Sequence, residues 1–450
     1  MANVGLYQLQ SPDEWRVGML SIGLGVSGTL ATGGTEAPPP PPGLFGFTMP
    51  AVPPTNFPGT LLAPAQAEAD DTNSWAVEED EPAITVSGGQ AICDGTNTRV
   101  RGVGPLTPTT VAAGHRVSIL ALISALSGGK AGIDSSEGAT NANAKALTGW
   151  RQGCVTTASG AAVRGVVTFN PATSGTVEAI HMTDLTALLA QKWFIVTCIA
   201  QSNWVGAAAT ADPDFDTPVP GCVVIPSLAN ASYGASLDGA GCGEPMLAVD
   251  PIVHHTINAG GGPSGAFLRE LRKVVPADYT IVFVATGHAG GGFGGDYAAW
   301  RADSLTPDAV DNFWLQTRKV WTDAPAGSVM GGIVFCQGES DTGAGKRAEW
   351  SIAAPALIEA CRAEPGWGDV PVVISEIGGD PVVDTELAAL VALQQGLATG
   401  SGEPLEFSRC AYVPRPAGAT FETDGIHYDQ PTNRQRGIDT ARALRDLIYP

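Results

Sequence analysis

Residues 193–199 read WFIVTCI and lead straight into Ala200-Gln201-Ser202-Asn203-Trp204. A continuous, mostly apolar run of this length is how a strand reads when both its faces are buried, as in a parallel sheet covered by helices. Runs of the same kind recur at 280–285 (TIVFVA), 332–335 (GIVF) and 370–374 (VPVVI). Helical patterns lie around and between them, at 183–191, 265–274, 307–321, 348–363, 384–399 and 432–448. Strands alternating with helices predict an α/β domain whose parallel sheet is covered on both faces.

Such sheets bind ligands beyond the carboxyl ends of their strands, so the residues after each run are the ones to read for chemistry. The first run is followed by Gln201-Ser202-Asn203, the second by the glycine block 287–295 (GHAGGGFGG), and the third by Gln337-Gly338-Glu339-Ser340-Asp341. A serine just past a strand can serve as a nucleophile, and nearby backbone N–H groups can hold an oxyanion. Taken singly, each segment also reads as an ordinary strand-to-helix cap. Near the C-terminus, Asp424-Gly425-Ile426-His427 places a carboxylate three residues from an imidazole. Serine hydrolysis needs that pair, a base and the acid that orients it. Alone, however, a loop Asp and His at this spacing is a weak signal.

In order, AQSNW, the glycine block, QGESD and DGIH resemble the motifs of the SGNH hydrolases, specifically the sialate O-acetylesterase and carbohydrate acetylesterase branch, over about residues 190–450. The resemblance implies a three-layer α/β/α, flavodoxin-like domain. It also implies a serine carboxylic ester hydrolase that removes O-acetyl groups from carbohydrate, surface polysaccharide included, with no metal or other cofactor. Ser202 would be the nucleophile, His427 the general base and then acid, and Asp424 the carboxylate orienting His427. The oxyanion donors would be the backbone N–H of Ser202, that of Gly291 (with Gly292 its neighbour) and the side chain of Gln337. Gln201, Asn203, Trp204 and Glu339 would bind substrate, and Glu339 and Asp341 would brace their loop. Three positions depart from the branch: Ala200 replaces a glycine, Trp204 a methionine and Cys336 a common histidine. None removes a catalytic group, although Trp204 would narrow the pocket.

The rest of the chain divides by composition. At 450 residues, with Gly 57 and Pro 34, more than one domain and many turns are expected. Residues 1–83 hold the run PPPPP at 38–42 and an acidic stretch from Glu68 to Glu81, the pattern of an extended arm or anchor. Residues 84–182 carry short β-prone runs (VSILALI, GVVTF) and read as a small β-rich domain; 183–450 is the hydrolase. The net charge of −21 disfavours nucleic acid and anionic membrane as partners. A polyanionic glycan would be repelled too, unless arginines such as Arg434 and Arg436 offset the field at the site.

Other signals are weaker. The eight cysteines form no C-x-x-C pair, so mostly free buried thiols are expected, with room for one or two bridges. G-x-G-x-x-G at 23–28 is followed by TLATGGTEAPPPPP and not by a helix, and no G-x-S-x-G occurs. Adjacent His254 and His255 do not share a face, and Asp212, Asp214 and Asp216 lack the remaining ligands of a calcium loop, so no metal is expected. His288 either lines the pocket or caps its strand. No basic segment followed by an unbroken apolar core opens the chain, and 117–126 is too short to cross a bilayer. The expected place is extracellular or virion-associated, the arm docking on other subunits of a phage-like particle, with the cytoplasm as the alternative. A competing reading is a glycan-binding spike or fibre protein with little or no turnover.

Overall fold

The computed structural model describes Phe57, residues 75–77, 84–87 and 90–96, and, from 101 to 450, all but 106–108, 136–141, 146–148, 158–161, 164, 207–216, 227–243, 251, 253, 255–260, 296 and 382–383. The proline run, the G-x-G-x-x-G, Cys242, His255 and the aspartates at 212–216 lie outside the described residues.

The α/β part begins with α1 (Leu185–Leu189), and β1 (Lys192–Ala200) passes into the short α2 (Ser202–Val205). Next come β2 (Cys222–Pro226), β3 (Met246–Leu247), α3 (Ser264–Arg272), β4 (Tyr279–Ala285), α4 (Asp308–Asp323) and β5 (Val329–Cys336). The chain then runs through α5 (Ala344–Ala363), β6 (Val372–Ser375), α6 (Thr385–Gly396), β7 (Cys410–Val413) and α7 (Gln430–Ile448). Together these strands make one seven-stranded sheet, ordered β3-β2-β4-β1-β5-β6-β7. Every neighbouring pair is parallel except β2 with the edge strand β3.

Alternation along β1 shows why its sequence is apolar throughout. Ile195 and Ile199 face a core shared with Phe313 of α4, Ile358 of α5 and Leu390 of α6. Phe194, Val196 and Cys198 face a second core with Phe267 of α3 and Leu444 of α7. The three-layer α/β/α architecture is therefore present. The predicted strands and helices all occur, with shifted ends; α1 is shorter than 183–191 because Thr183 and Asp184 still belong to the preceding strand.

The chain reaches β4 on one side of β1 and then crosses to β5 on the other. The connection therefore switches sides at β1, which opens a crevice at its carboxyl end.

Ahead of this domain lie two antiparallel five-stranded sheets. One orders Trp75–Val77, Arg101–Pro105, Gly165–Phe169, Ala131–Ser135 and Ala142–Lys145; the other orders Ile84–Ser87, Gln90–Asp94, Ser174–Asp184, Arg116–Ser127 and Gly149–Thr156. Val103, Ile133 and Phe169 of the first pack with Ile84, Val117, Ile119 and Ile180 of the second, which makes the β-rich segment a sandwich. On the other face of Arg116–Ser127, Leu120 joins Leu185 and Leu188 of α1, so this strand too is buried on both sides. Asp184 stands at the join: it accepts from the Ala187 N–H to cap α1 and lies 2.7 Å from His115 Nδ1.

Two details correct the expected arm. Trp75–Val77 is an edge strand of the sandwich, and Phe57 is buried in the α/β core with the Arg272 guanidinium 4.8 Å above its ring. The seven described cysteines are all buried, and none is bridged to another of them. Among the described residues no helix is long and apolar enough to cross a membrane.

Candidate active site

Three loops meet at the carboxyl edge of the sheet. Hydrogen bonds fix them to one another at the backbone: Gln201 N–H donates to Cys336 O (2.8 Å), and His288 N–H donates to Ala200 O (2.8 Å). Gln201 is extended and α2 starts at the next residue, so the Ser202 amide is a first-turn N–H without an intrahelical acceptor. Gly206 ends α2 after one turn in the left-handed region (φ 90°), where a side chain would be strained. Ser202 itself is half-buried at the mouth of the crevice.

The DGIH loop supplies the other two groups. Asp424 Oδ1 accepts from the N–H of Ile426 (2.8 Å) and of His427 (2.9 Å), with Gly425 left-handed between them (φ 69°). This tight turn aims Asp424 Oδ2 at His427 Nδ1, 2.5 Å away. His427 Nε2 stands 2.8 Å from Ser202 Oγ. Burial raises the Asp424 pKa, but the His427 ring and the two amides outweigh it and bring the carboxyl down to about 2. Near neutrality the carboxylate is charged, which keeps the Nδ1 proton on its side of the ring and leaves Nε2 to accept from the serine.

Of the other residues expected at the site, Gln201, Asn203, Trp204 and Gln337 are buried and Glu339 is half-buried. Gln337 is fully buried: Nε2 donates to Asp341 Oδ2 (2.6 Å) and Gly291 O (3.2 Å), and Oε1 accepts from Trp350 Nε1 (2.8 Å). Its amide hydrogens are thus occupied and not aimed at an oxyanion. The Gly291 N–H donates to His288 O at 3.4 Å and the Gly292 N–H to Tyr297 O at 3.2 Å.

Gln201 is buried too, giving its amide to Gly291 O (2.6 Å) and Ser340 Oγ (2.7 Å) and accepting from Gly338 N–H (2.8 Å). Trp204 lies beneath the site, edge-on to Phe267, and narrows nothing. Asn203 is buried as well, and Glu339 Oε1 accepts from Asn203 and from the Gly378 N–H. The side chains of Gln201, Asn203 and Trp204 are thus turned inward, the two amides bonded to neighbouring segments.

Asp341 braces the glycine block, accepting from the N–H of Phe293 and Gly294, and burial raises its pKa. His288 is buried with its Nε2 3.0 Å from Tyr297 Oη, so it ties the glycine block to the following loop. Arg436, expected to soften the field for substrate, is likewise turned inward. It donates to Asn203 O, Asn433 Oδ1, Cys336 Sγ, Ser375 Oγ and Glu376 O, and covers the Tyr428 ring at 4.4 Å. Burial pushes the neighbouring Cys336 thiol up to about 12. Gly378 escaped notice in the sequence: a Cβ there would come within 2.1 Å of Asn203 Nδ2 and 2.2 Å of Ile426 O. Nothing local in Glu376-Ile377-Gly378-Gly379 marks it, because the atoms that exclude a side chain come from distant segments.

The family model described as carbohydrate esterase, sialic acid-specific acetylesterase matches residues 192–446. The chain belongs to this family. It is thus a carbohydrate acetylesterase, a carboxylic ester hydrolase, and the matched span runs from β1 into the last turn of α7. Solved structures similar to this acetylesterase include NanS (TM-score 0.46, 13% identity, covering 56% of this chain and 97% of that one). Others are a protein from Arabidopsis thaliana (0.43, 16%, 56% and 97%) and a carbohydrate acetylesterase from Xanthomonas citri (0.40, 13%, 78% and 72%). A search of curated proteins returned no match.

Proposed function

We propose that this acetylesterase is a serine enzyme that removes O-acetyl groups from carbohydrate through an acetyl-enzyme on Ser202. The observation that carries the proposal is the hydrogen-bonded run Ser202 Oγ, His427 Nε2, His427 Nδ1, Asp424 Oδ2 at the carboxyl edge of the sheet. Ser202 Oγ attacks the acetyl carbonyl carbon while its proton passes to His427 Nε2. The resulting oxyanion is held by the Ser202 N–H. The Gly291 N–H is the second donor, since its 3.4 Å bond to His288 O is long enough to be exchanged. Collapse breaks the bond to the sugar oxygen, which leaves with the proton from His427. A water, deprotonated by His427, then attacks the acetyl-enzyme, and acetate leaves as Ser202 regains its proton.

We infer a weakly charged acetylated polysaccharide as substrate. The chain carries −21, and Arg436 is committed to internal acceptors and so does not neutralise an anionic ligand. Turnover of p-nitrophenyl acetate by the native chain and by Ser202→Ala tests the mechanism. The variant should lose on the order of 10³- to 10⁶-fold in kcat, and equal rates would sink the assignment. Native protein that binds acetylated glycan without hydrolysing it would favour a spike or fibre role instead.

A further inference from the structure

Asn203 follows the nucleophile directly, yet its side chain is buried and pointed away from the opening. Its Oδ1 accepts from the Tyr428 N–H at 2.9 Å, and its Nδ2 donates to Ile426 O at 3.2 Å. One primary amide thus bonds the backbone on both sides of His427, much as a neighbouring strand would. The same Nδ2 donates to Glu339 Oε1 at 2.9 Å, and the Asn203 carbonyl accepts from Arg436 at 3.2 Å. The amide plane is therefore fixed from the QGESD loop, and its backbone from α7.

His427 needs this hold because its loop is otherwise bonded mainly to itself. Glu422 N–H donates to His427 O, Gly425 N–H donates to Glu422 O, and Asp424 takes the amides of Ile426 and His427. Residues 423–426 are exposed, with Ile426 at 49%. Gly378 leaves the room the clamp requires, since a Cβ there would strike both Asn203 Nδ2 and Ile426 O.

We propose that Asn203 is a positioning residue whose side-chain amide grips the backbone flanking His427 and holds the imidazole against Ser202. This rests on the reading of Ser202 and His427 as nucleophile and base. Because Asn203 and Ser202 are consecutive in α2, base and nucleophile are located from one turn of helix. An arrangement of this kind acts on the alignment of reacting groups, where about 1 Å of error costs on the order of 10²-fold in rate.

The test compares Asn203→Ala, Asn203→Asp and Gly378→Ala with the native chain, using kcat and KM for p-nitrophenyl acetate and the low-field proton resonance of His427 Nδ1. Asn203→Asp keeps the size and the acceptor for Tyr428 but turns a carboxylate oxygen toward Ile426 O and Glu339. Gly378→Ala keeps Asn203 and crowds the clamp from the other side. All three should lower kcat, by on the order of 10²-fold for Asn203→Ala, with KM nearly constant and the Nδ1 resonance shifted or broadened. Should Asn203→Ala not fold, the near-isosteric Asp variant and Gly378→Ala carry the comparison. Native kcat in the folded variants would overturn the proposal. So would a change confined to KM, which would return Asn203 to substrate contact, or a loss of kcat with the resonance unmoved. Failure of the underlying reading is recognised separately, by native activity in Ser202→Ala.

Discussion

His427 Nε2 and Ser202 Oγ lie 2.8 Å apart although 225 residues separate them in the chain. The contact is made by two elements that the sheet brings to one edge, the first turn after β1 and the loop leading into α7. Asp424 completes it from within the same loop as His427, so orientation of the base is a local property and its placement a long-range one.

Asp424→Asn separates these two. The asparagine can still accept from the Ile426 and His427 amides, but it then turns an NH₂ toward His427 Nδ1 and favours the tautomer whose proton faces Ser202. We expect kcat to fall roughly 10³-fold, less than the ~10⁴ of a buried triad acid, because the Asp424 side chain is 44% exposed and water can replace part of its role. A loss below tenfold in steady-state assays would contradict this. The native carboxyl, held at about 2, also contributes stability that is present above the ordinary aspartate range and lost as pH falls toward 2. Asp424→Asn should therefore be less stable than the native chain at pH 7 and similar to it near pH 2, as read by denaturant midpoints.

His254 makes an opposite use of burial. It accepts from the Gly287 N–H at Nδ1, and its Nε2 is 3.2 Å from Ser264 Oγ. Burial keeps it neutral down to about 3. An unfolded histidine takes up a proton near 6.5, so the folded state binds fewer protons between these values and stability declines as pH drops through that window. The slope from this group is up to about 1.4 kcal/mol per pH unit. Urea titrations from pH 7 to 4 should show a shallower slope in His254→Asn; parallel slopes would count against it.

Arg436→Met should destabilise the fold by about 3 kcal/mol or more, because it leaves the buried acceptors Asn203 O, Ser375 Oγ and Glu376 O without their shared donor, at roughly 1–3 kcal/mol each. Chemical denaturation measures this directly. A change under 1 kcal/mol would mean that water or a shifted side chain can take its place.

The cysteines give a simple count. All seven described thiols are buried, and burial raises Cys198, Cys222, Cys336 and Cys410 to about 12. In an Ellman titration of the native chain the seven described thiols should therefore react only once denaturant is added. Two or more fast thiols would contradict the burial.

Strands buried on both faces were the legible part of the fold. WFIVTCI, TIVFVA and GIVF announce themselves because neither side of the strand meets water. β7 (CAYV) is short and half-exposed, and β2 (CVVIP) is a short run directly after Pro220-Gly221, so neither stands out from its surroundings. Within the site, Ser202, His427 and Asp424 were named from motif blocks. The inward turn of Gln201, Asn203 and Gln337 was not, since the partners that turn them, Gly291, Tyr428 and Trp350, belong to other loops. An amide in a motif reads alike whether it meets a ligand or a neighbouring segment, and only tertiary contacts distinguish the two.

The strand Ser174–Asp184 ends on the residue that caps α1, and β1 begins at Lys192. Sandwich and esterase thus share Asp184, the last residue of one's strand and the cap of the other's first helix. From Asp184 the chain reaches Ser202 through α1 and β1, so no long loop separates the sandwich from the nucleophile.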